Sequence, residues 1–167
     1  LVLMQGLEDY ILTVQNNLRR SSQLVQTGYI RRLAAIDIGT NSTHLLVAAV
    51  DTSLQSFSVE LAEKSTTRLG ERDSFTGALT LEAMNRVFET LKRFKELAES
   101  HKVENIVTAA TSAVREAPNG SDFLALIKEK LEMEIEVISG PEEARLIYLG
   151  VLSAMQFGDK SHVLIDI

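Results

Sequence analysis

An apolar run, Leu33-Ala34-Ala35-Ile36, leads straight into Asp37, and a second apolar run, Leu45 to Val50, returns after a short polar turn. The turn itself, Gly39-Thr40-Asn41-Ser42, holds a glycine, two hydroxyls and an amide. Two apolar stretches separated by turn residues predict a hairpin of buried strands with Asp37 at the end of the first. Glycine lets the backbone approach a ligand closely, and successive turn N–H groups can converge on an anion. The side chains of Thr40, Asn41 and Ser42 add further donors, and Asp37 has the ligand chemistry for a hydrated metal ion. Gly, Asn and Ser are also ordinary turn residues, so composition alone leaves an anion-binding turn and a plain hairpin turn equally open.

The rest of the chain predicts a mixed sheet. Alternation at Ser56-Phe57-Ser58-Val59-Glu60-Leu61 marks a third strand, and Lys64 to Gly77 reads as a polar loop containing Arg68, Gly70 and Arg72. Thr80 reads as a helix cap, followed by an apolar stripe at helical period: Leu81, Met84, Val87, Phe88, Leu91, Phe94, Leu97 and Ala98. A buried strand at Asn105–Ala110, a helix from Ser121 to about Glu132 and a strand at Glu134–Ile138 come next. Ser139-Gly140-Pro141-Glu142 opens a third helix, with Ala144, Ile147, Tyr148, Val151, Leu152 and Met155 on one side, and a last strand is expected at Ser161–Asp166. Three strands joined by short turns, then alternating helices and strands, predict an α/β fold of the ribonuclease-H-like, actin-like kind: a mixed five-stranded sheet with helices on both faces. Residues 1–31 read as an N-terminal extension with a short amphipathic helix over Leu7, Tyr10, Ile11, Val14 and Leu18, residues 32–158 as a first domain, and residues 159–167 as the opening strand of a second, truncated one.

Composition narrows the function classes. No apolar run approaches the roughly 20 residues that span a bilayer, so no membrane association is expected. The chain has no cysteine, which removes disulfides and thiolate chemistry and fits a cytoplasmic protein, and its 3 histidines are scattered. Net charge is −6, so nucleic acid is not an expected partner and a polyanionic ligand must be held by local donors and metal. Arg19, Arg20, Arg31 and Arg32 lie in a stretch without acids and read as a solvated face. The pattern GxxxxGK[ST] does not occur, which excludes a nucleotide-binding P-loop.

Four ordered segments carry a more specific signal: DIGTNSTHLLV (Asp37–Val47), KSTTRLG (Lys64–Gly70), ATSAVREAPN (Ala110–Asn119) and ISGPEEARLIYLG (Ile138–Gly150). Together they resemble the exopolyphosphatase and guanosine pentaphosphate phosphohydrolase family, over roughly residues 33–167. Val163–Ile167 resembles the strand entering that family's second phosphate loop. Thr43 stands where the family often carries a bulkier side chain.

The resemblance implies a phosphohydrolase that removes terminal phosphate from inorganic polyphosphate, guanosine pentaphosphate or both, by magnesium-assisted attack of water. It implies Glu143, the second acid of the ISG-x-EE-A segment, as catalytic base. It implies Gly39, Thr40, Asn41, Ser42 and Arg115 as phosphate contacts, and Asp37 and Asp166 as holders of Mg²⁺. A guanidinium after a buried strand can grip two phosphate oxygens at once, whereas a surface pair of Arg115 with Glu116 or Asp122 is the plain alternative. Ser139 with Glu142 fits a capping box, so Glu142 is expected to be structural. Lys64 and Arg68 would extend a basic path, or simply be solvated; His44 has no evident carboxylate partner and reads as structural. A kinase of the same superfamily and a non-catalytic polyphosphate or alarmone sensor are the rival readings. A homodimer stays an open option.

Overall fold

Residues Leu33 to Ile38 are all buried, and they alternate between two separate cores. A strand buried on both sides must lie at the centre of a sheet covered on both faces. That is its place in the computed structural model, which describes residues 30–51 and 56–154. The sheet has five strands in the order β3-β2-β1-β4-β5. They are β1 (Ile30–Ile38), β2 (Ser42–Asp51), β3 (Ser56–Thr66), β4 (Asn105–Ala110) and β5 (Glu136–Val137). The β1–β2 and β2–β3 pairs are antiparallel, while β4 runs parallel to β1 and β5 parallel to β4.

Among the described residues four helices accompany the sheet: α1 (Leu81–Ser100), α2 (Ser112–Arg115), α3 (Gly120–Leu131) and α4 (Gly140–Ala154). One core joins Ala34, Ile36, Ile38, Leu45 and Val47 to Val87, Leu91 and Phe94 of α1 and to Phe123 and Ile127 of α3. The opposite core joins Leu33, Ala35, Leu46, Ala48 and Ala109 to Leu146 of α4. The sheet is therefore covered on both faces, as the sequence predicted. Thr80 caps α1, its hydroxyl accepting from the Ala83 N–H at 3.2 Å, a contact worth about 1 kcal/mol.

Several boundaries differ from expectation. β3 continues to Thr66, so Lys64 to Thr66 are strand rather than loop; Ser42, Thr43 and His44 of β2 supply the partners Thr66, Ser65 and Lys64 need. The expected strand at Glu134–Ile138 shortens to two residues because β4 pairs only through Ala109 and Ala110. The short α2 was not expected. β1 begins at Ile30, and Arg31 and Arg32 pair with Glu104 at 2.7 Å and Glu60 at 2.9 Å, so these two arginines are not simply solvated. The helix expected in residues 1–30, the strand expected at Ser161–Asp166, and Asp166 itself lie outside the described residues. No helix among the described residues is long and apolar enough to cross a membrane.

Candidate active site at one sheet edge

The register brings the four motif segments to a single edge. Ile38 lies opposite Ala110 and Ala110 opposite Val137, so the parallel strands β1, β4 and β5 all end at the same side. Ser42 at the start of β2 pairs with Thr66 at the end of β3, which adds the segment after β3 to that edge. Gly39–Ser42, Thr67–Gly70, Thr111–Arg115 and Ser139–Glu143 therefore meet outside the carboxyl ends of the parallel strands, where open α/β sheets place their ligands.

The β1–β2 turn is held by backbone rather than by side chains. Gly39 N–H donates to Ser42 O at 3.0 Å, and a Cβ on Gly39 would sit 3.0 Å from that same oxygen. The glycine is thus required by the closeness of the turn itself, apart from any ligand. Asn41 O accepts from Thr67 N–H at 3.1 Å and from Arg68 N–H at 2.9 Å, and Thr40 O accepts from Gly70 N–H at 2.8 Å. Every peptide bond among the described residues is trans, so each carbonyl there points opposite to the N–H of its own peptide plane. With Thr40 O and Asn41 O turned toward the 67–70 segment, the N–H groups of Asn41 and Ser42 are turned away from it. The anion-binding reading of the turn therefore has a geometric basis that composition did not supply.

Packing under the turn is dry and tight. Thr43 and Thr67 are both fully buried and their hydroxyls bond at 3.0 Å, so a threonine at position 43 ties β2 to the bracing segment. Thr40 Oγ1 reaches Ser112 Oγ at 3.1 Å, linking the turn to α2. A Cβ on Gly70 would collide with Thr40 Cγ2, so any other residue there would have to displace the Thr40 side chain.

Asp37 is 7% exposed and shares its face of β1 with Leu33 and Ala35, the face that α4 covers. Among the described residues no group of three or more His, Cys, Asp or Glu side chains could hold a metal ion. Mg²⁺ nevertheless needs only one or two carboxylates beside phosphate oxygens and water, so the donor type fits. His44 stands directly across from Asp37 in the β1–β2 register, which the sequence did not reveal. Burial, followed by smaller repulsions that include Lys64, holds its imidazole below the usual histidine range, so the ring favours the neutral form.

Arg115 and Glu143 meet. Arg115 Nη1 donates to Ile138 O at 2.7 Å and lies 3.6 Å from Glu143 Oε2, while Nη2 lies 3.6 Å from Glu116 Oε1. At 3.6 Å these are electrostatic pairings rather than hydrogen bonds, which leaves the Glu143 carboxylate able to accept from water. Its side chain keeps 25% of its surface exposed. Glu142 behaves as expected of a structural acid: its N–H donates to Ser139 Oγ at 3.3 Å and its carboxylate takes two bonds from Arg145, at 2.9 and 2.8 Å. The Arg145 guanidinium holds the Glu142 carboxyl below the usual range. Asn119, inside a motif segment, is also structural, exchanging two hydrogen bonds with the Leu79 backbone.

Beyond Gly70 the chain forms a small hairpin. Arg72 bridges Leu79, and Arg72 Nη2 donates to Ala113 O at 2.6 Å. Asp73 Oδ1 accepts from the Thr76 N–H, the Thr76 hydroxyl and the Phe75 N–H, at 2.8, 2.8 and 3.1 Å. The Thr76 backbone bond, more than the others, holds the Asp73 carboxyl below the usual aspartate range. A carboxyl depressed in the folded state contributes stability above its ordinary range and loses it as pH falls through the folded value. Amide exchange of residues 75–78, corrected for intrinsic pH dependence, should therefore be slow at neutral pH and accelerate on acidification, and Asp73→Asn should remove that acid sensitivity.

Comparisons with known proteins place the chain in a family. Residues 46–167 match the model of the Ppx/GppA phosphatase family. Exopolyphosphatase 1 of Mycobacterium tuberculosis is 32% identical over 121 residues, covering 72% of this chain and 35% of that protein. The crystal structure of the Aquifex aeolicus Ppx/GppA family member superposes with a TM-score of 0.63 at 33% identity, over 67% of this chain and 36% of that one. An exopolyphosphatase from Cytophaga hutchinsonii gives 0.62 at 34% identity, over 66% and 35%. The chain thus spans about a third of the length of these relatives, at 35% or 36%. With the actin-like sheet and a match over residues 46–167 that takes in the last three motif segments, the chain belongs to the Ppx/GppA phosphatase family.

Proposed function

We propose that the full-length protein is a phosphohydrolase that removes the terminal phosphate of inorganic polyphosphate, of guanosine pentaphosphate, or of both. One observation carries the reading: a carboxylate with an exposed edge, Glu143, is paired with Arg115 at 3.6 Å, at the same sheet edge as a turn whose carbonyls are fixed away from the ligand side. The amides of Asn41 and Ser42 and the hydroxyls of Thr40 and Ser42 would bind the oxygens of the terminal phosphate. Arg115 would hold two of those oxygens while its Nη1 stays anchored on Ile138 O. Glu143 would orient a water in line with the leaving oxygen and accept its proton. Asp37 would hold Mg²⁺, with Asp166 as its expected second carboxylate; when bound, the ion neutralises phosphate charge. The chain's lack of cysteine accords with a reducing, cytoplasmic setting.

The test is orthophosphate release by the full-length protein from polyphosphate and from guanosine pentaphosphate, each with and without an alcohol acceptor. Release without acceptor is expected. Phosphate appearing only on the acceptor would indicate a kinase, and tight binding without release a sensor.

A further inference from the structure

Arg86 lies on α1, outside all four motif segments, yet its guanidinium is bonded into the active-site edge. Its Nε donates to Thr67 O at 2.9 Å, and its Nη2 reaches Glu71 Oε2 at 2.6 Å and, more weakly, Arg68 O at 3.5 Å. Arg68 has φ 47°, in the left-handed region that a residue with a side chain rarely adopts. A backbone of that kind persists where its surroundings determine it. Here the carbonyls on both sides of the 67–68 and 68–69 peptide planes are within reach of one cation.

The bonds form a line. Thr67 O and Arg68 N–H belong to one peptide plane, and Asn41 O and Ser42 N–H to another. Arg86 Nε–H donates to Thr67 O, Arg68 N–H donates to Asn41 O at 2.9 Å, and the Ser42 N–H then points away from the bracing segment. A charged donor at one end of such a chain polarises each following amide in the same sense. Among the described residues, the other hydrogen bonds from the 67–70 segment to the turn and the start of β2 are backbone bonds and the Thr43–Thr67 hydroxyl pair.

We propose that Arg86 is a positioning residue for the phosphate-binding turn: through the Thr67–Arg68 peptide it fixes the direction, and strengthens the donor character, of the Ser42 N–H. It does not touch substrate. The inference rests on reading Gly39–Ser42 as the phosphate turn. Glu71, whose ion pair with Arg86 is half-exposed, serves only to steady the guanidinium.

The experiment uses the full-length protein and its Arg86→Gln, Arg86→Lys and Glu71→Gln variants, with thermal melting as a folding control. Arg86→Gln should exchange the Arg68 and Gly70 amides roughly tenfold faster, since local opening there becomes easier, with α1 core amides unchanged. It should also raise KM for polyphosphate roughly tenfold while kcat changes less than about threefold, the pattern of lost binding common to ground and transition states. Arg86→Lys, a point donor with its charge kept, should recover part of both effects, and Glu71→Gln should leave both near wild type. Unchanged exchange at Arg68 and Gly70 in Arg86→Gln, or faster exchange with unchanged KM, would overturn the proposal. A wild-type protein inert toward both polyphosphate and guanosine pentaphosphate would sink the functional reading instead, and orthophosphate affinity together with the exchange data would then decide the role of Arg86.

Discussion

Glu143→Gln in the full-length protein should lower polyphosphate turnover by roughly 10²–10⁴, the usual contribution of a positioned acid–base group. Glutamine keeps the length of the side chain and its place in the first turn of α4, so the helix should form as before. Arg115 retains its bond to Ile138 O at 2.7 Å, and its phosphate grip should survive. Substrate affinity should consequently change little, so the loss falls on kcat. Glu142→Gln is the internal comparison, because it changes the adjacent acid in the same helical turn. Glu142 is occupied by Arg145, and loosening that surface pair should alter stability by no more than about 1 kcal/mol and leave turnover intact. Steady-state kinetics on the two variants side by side decide the matter. Activity within a few-fold of wild type in Glu143→Gln would make Glu143 an ordinary first-turn acid and move the base elsewhere.

The sensor reading is weakened by the same geometry. Binding a polyanion favours cations and amide donors and gives no reason to keep an exposed carboxylate beside the grip. Glu143 lies 3.6 Å from Arg115, where its negative charge would compete with the phosphate proposed to bind there. Such an arrangement makes sense if the carboxylate acts on water. Loss of that repulsion in Glu143→Gln should leave substrate affinity equal to or slightly above that of the wild type.

What the sequence revealed and what it hid divides along physical lines. Side-chain patterning exposed the central hairpin, because Leu33 to Ile38 and Leu45 to Val50 must be buried to leave water, and their neighbours are polar. It exposed α1, although the buried stripe runs through Ala83, Val87, Thr90, Leu91, Phe94 and Ala98, and the terminal Leu81 is 65% exposed. The Asp37 turn, Arg115 and Glu143 were legible through their motif segments, and the sheet register then brought those segments to one edge. The brace on the turn was not legible. It is made of backbone groups, Thr67, Arg68 and Gly70 amides on Thr40 and Asn41 carbonyls, and any residue except proline offers the same donor. Arg86 was missed because an arginine on the border of an amphipathic helix looks like any solvated cation. His44 across from Asp37 was missed for a related reason, since pairing in register depends on where the turn falls.

The two groups that would meet the phosphate from opposite sides should respond differently to magnesium. Arg115→Ala removes a charge-assisted contact, so polyphosphate affinity should fall by about 1.5–3 kcal/mol. It also frees Ile138 O, which loosens the entry to α4, but an arginine cannot ligate a cation, so the magnesium concentration giving half-maximal rate should not move. Asp37→Asn should do the reverse. The amide preserves the shape of a side chain only 7% exposed at the end of β1, and replaces an anionic ligand by a neutral, weaker one. Half-maximal activity should then require more magnesium, and KM for polyphosphate at saturating magnesium should stay near wild type. Asp37 sits on β1 and Arg115 on α2, so each substitution leaves the other residue's own element in place. Rates measured across a magnesium series for both variants test the division directly. Parallel shifts in the two would mean that cation and phosphate are held by the same groups, and the assignment of Asp37 to the metal and Arg115 to the phosphate would fall.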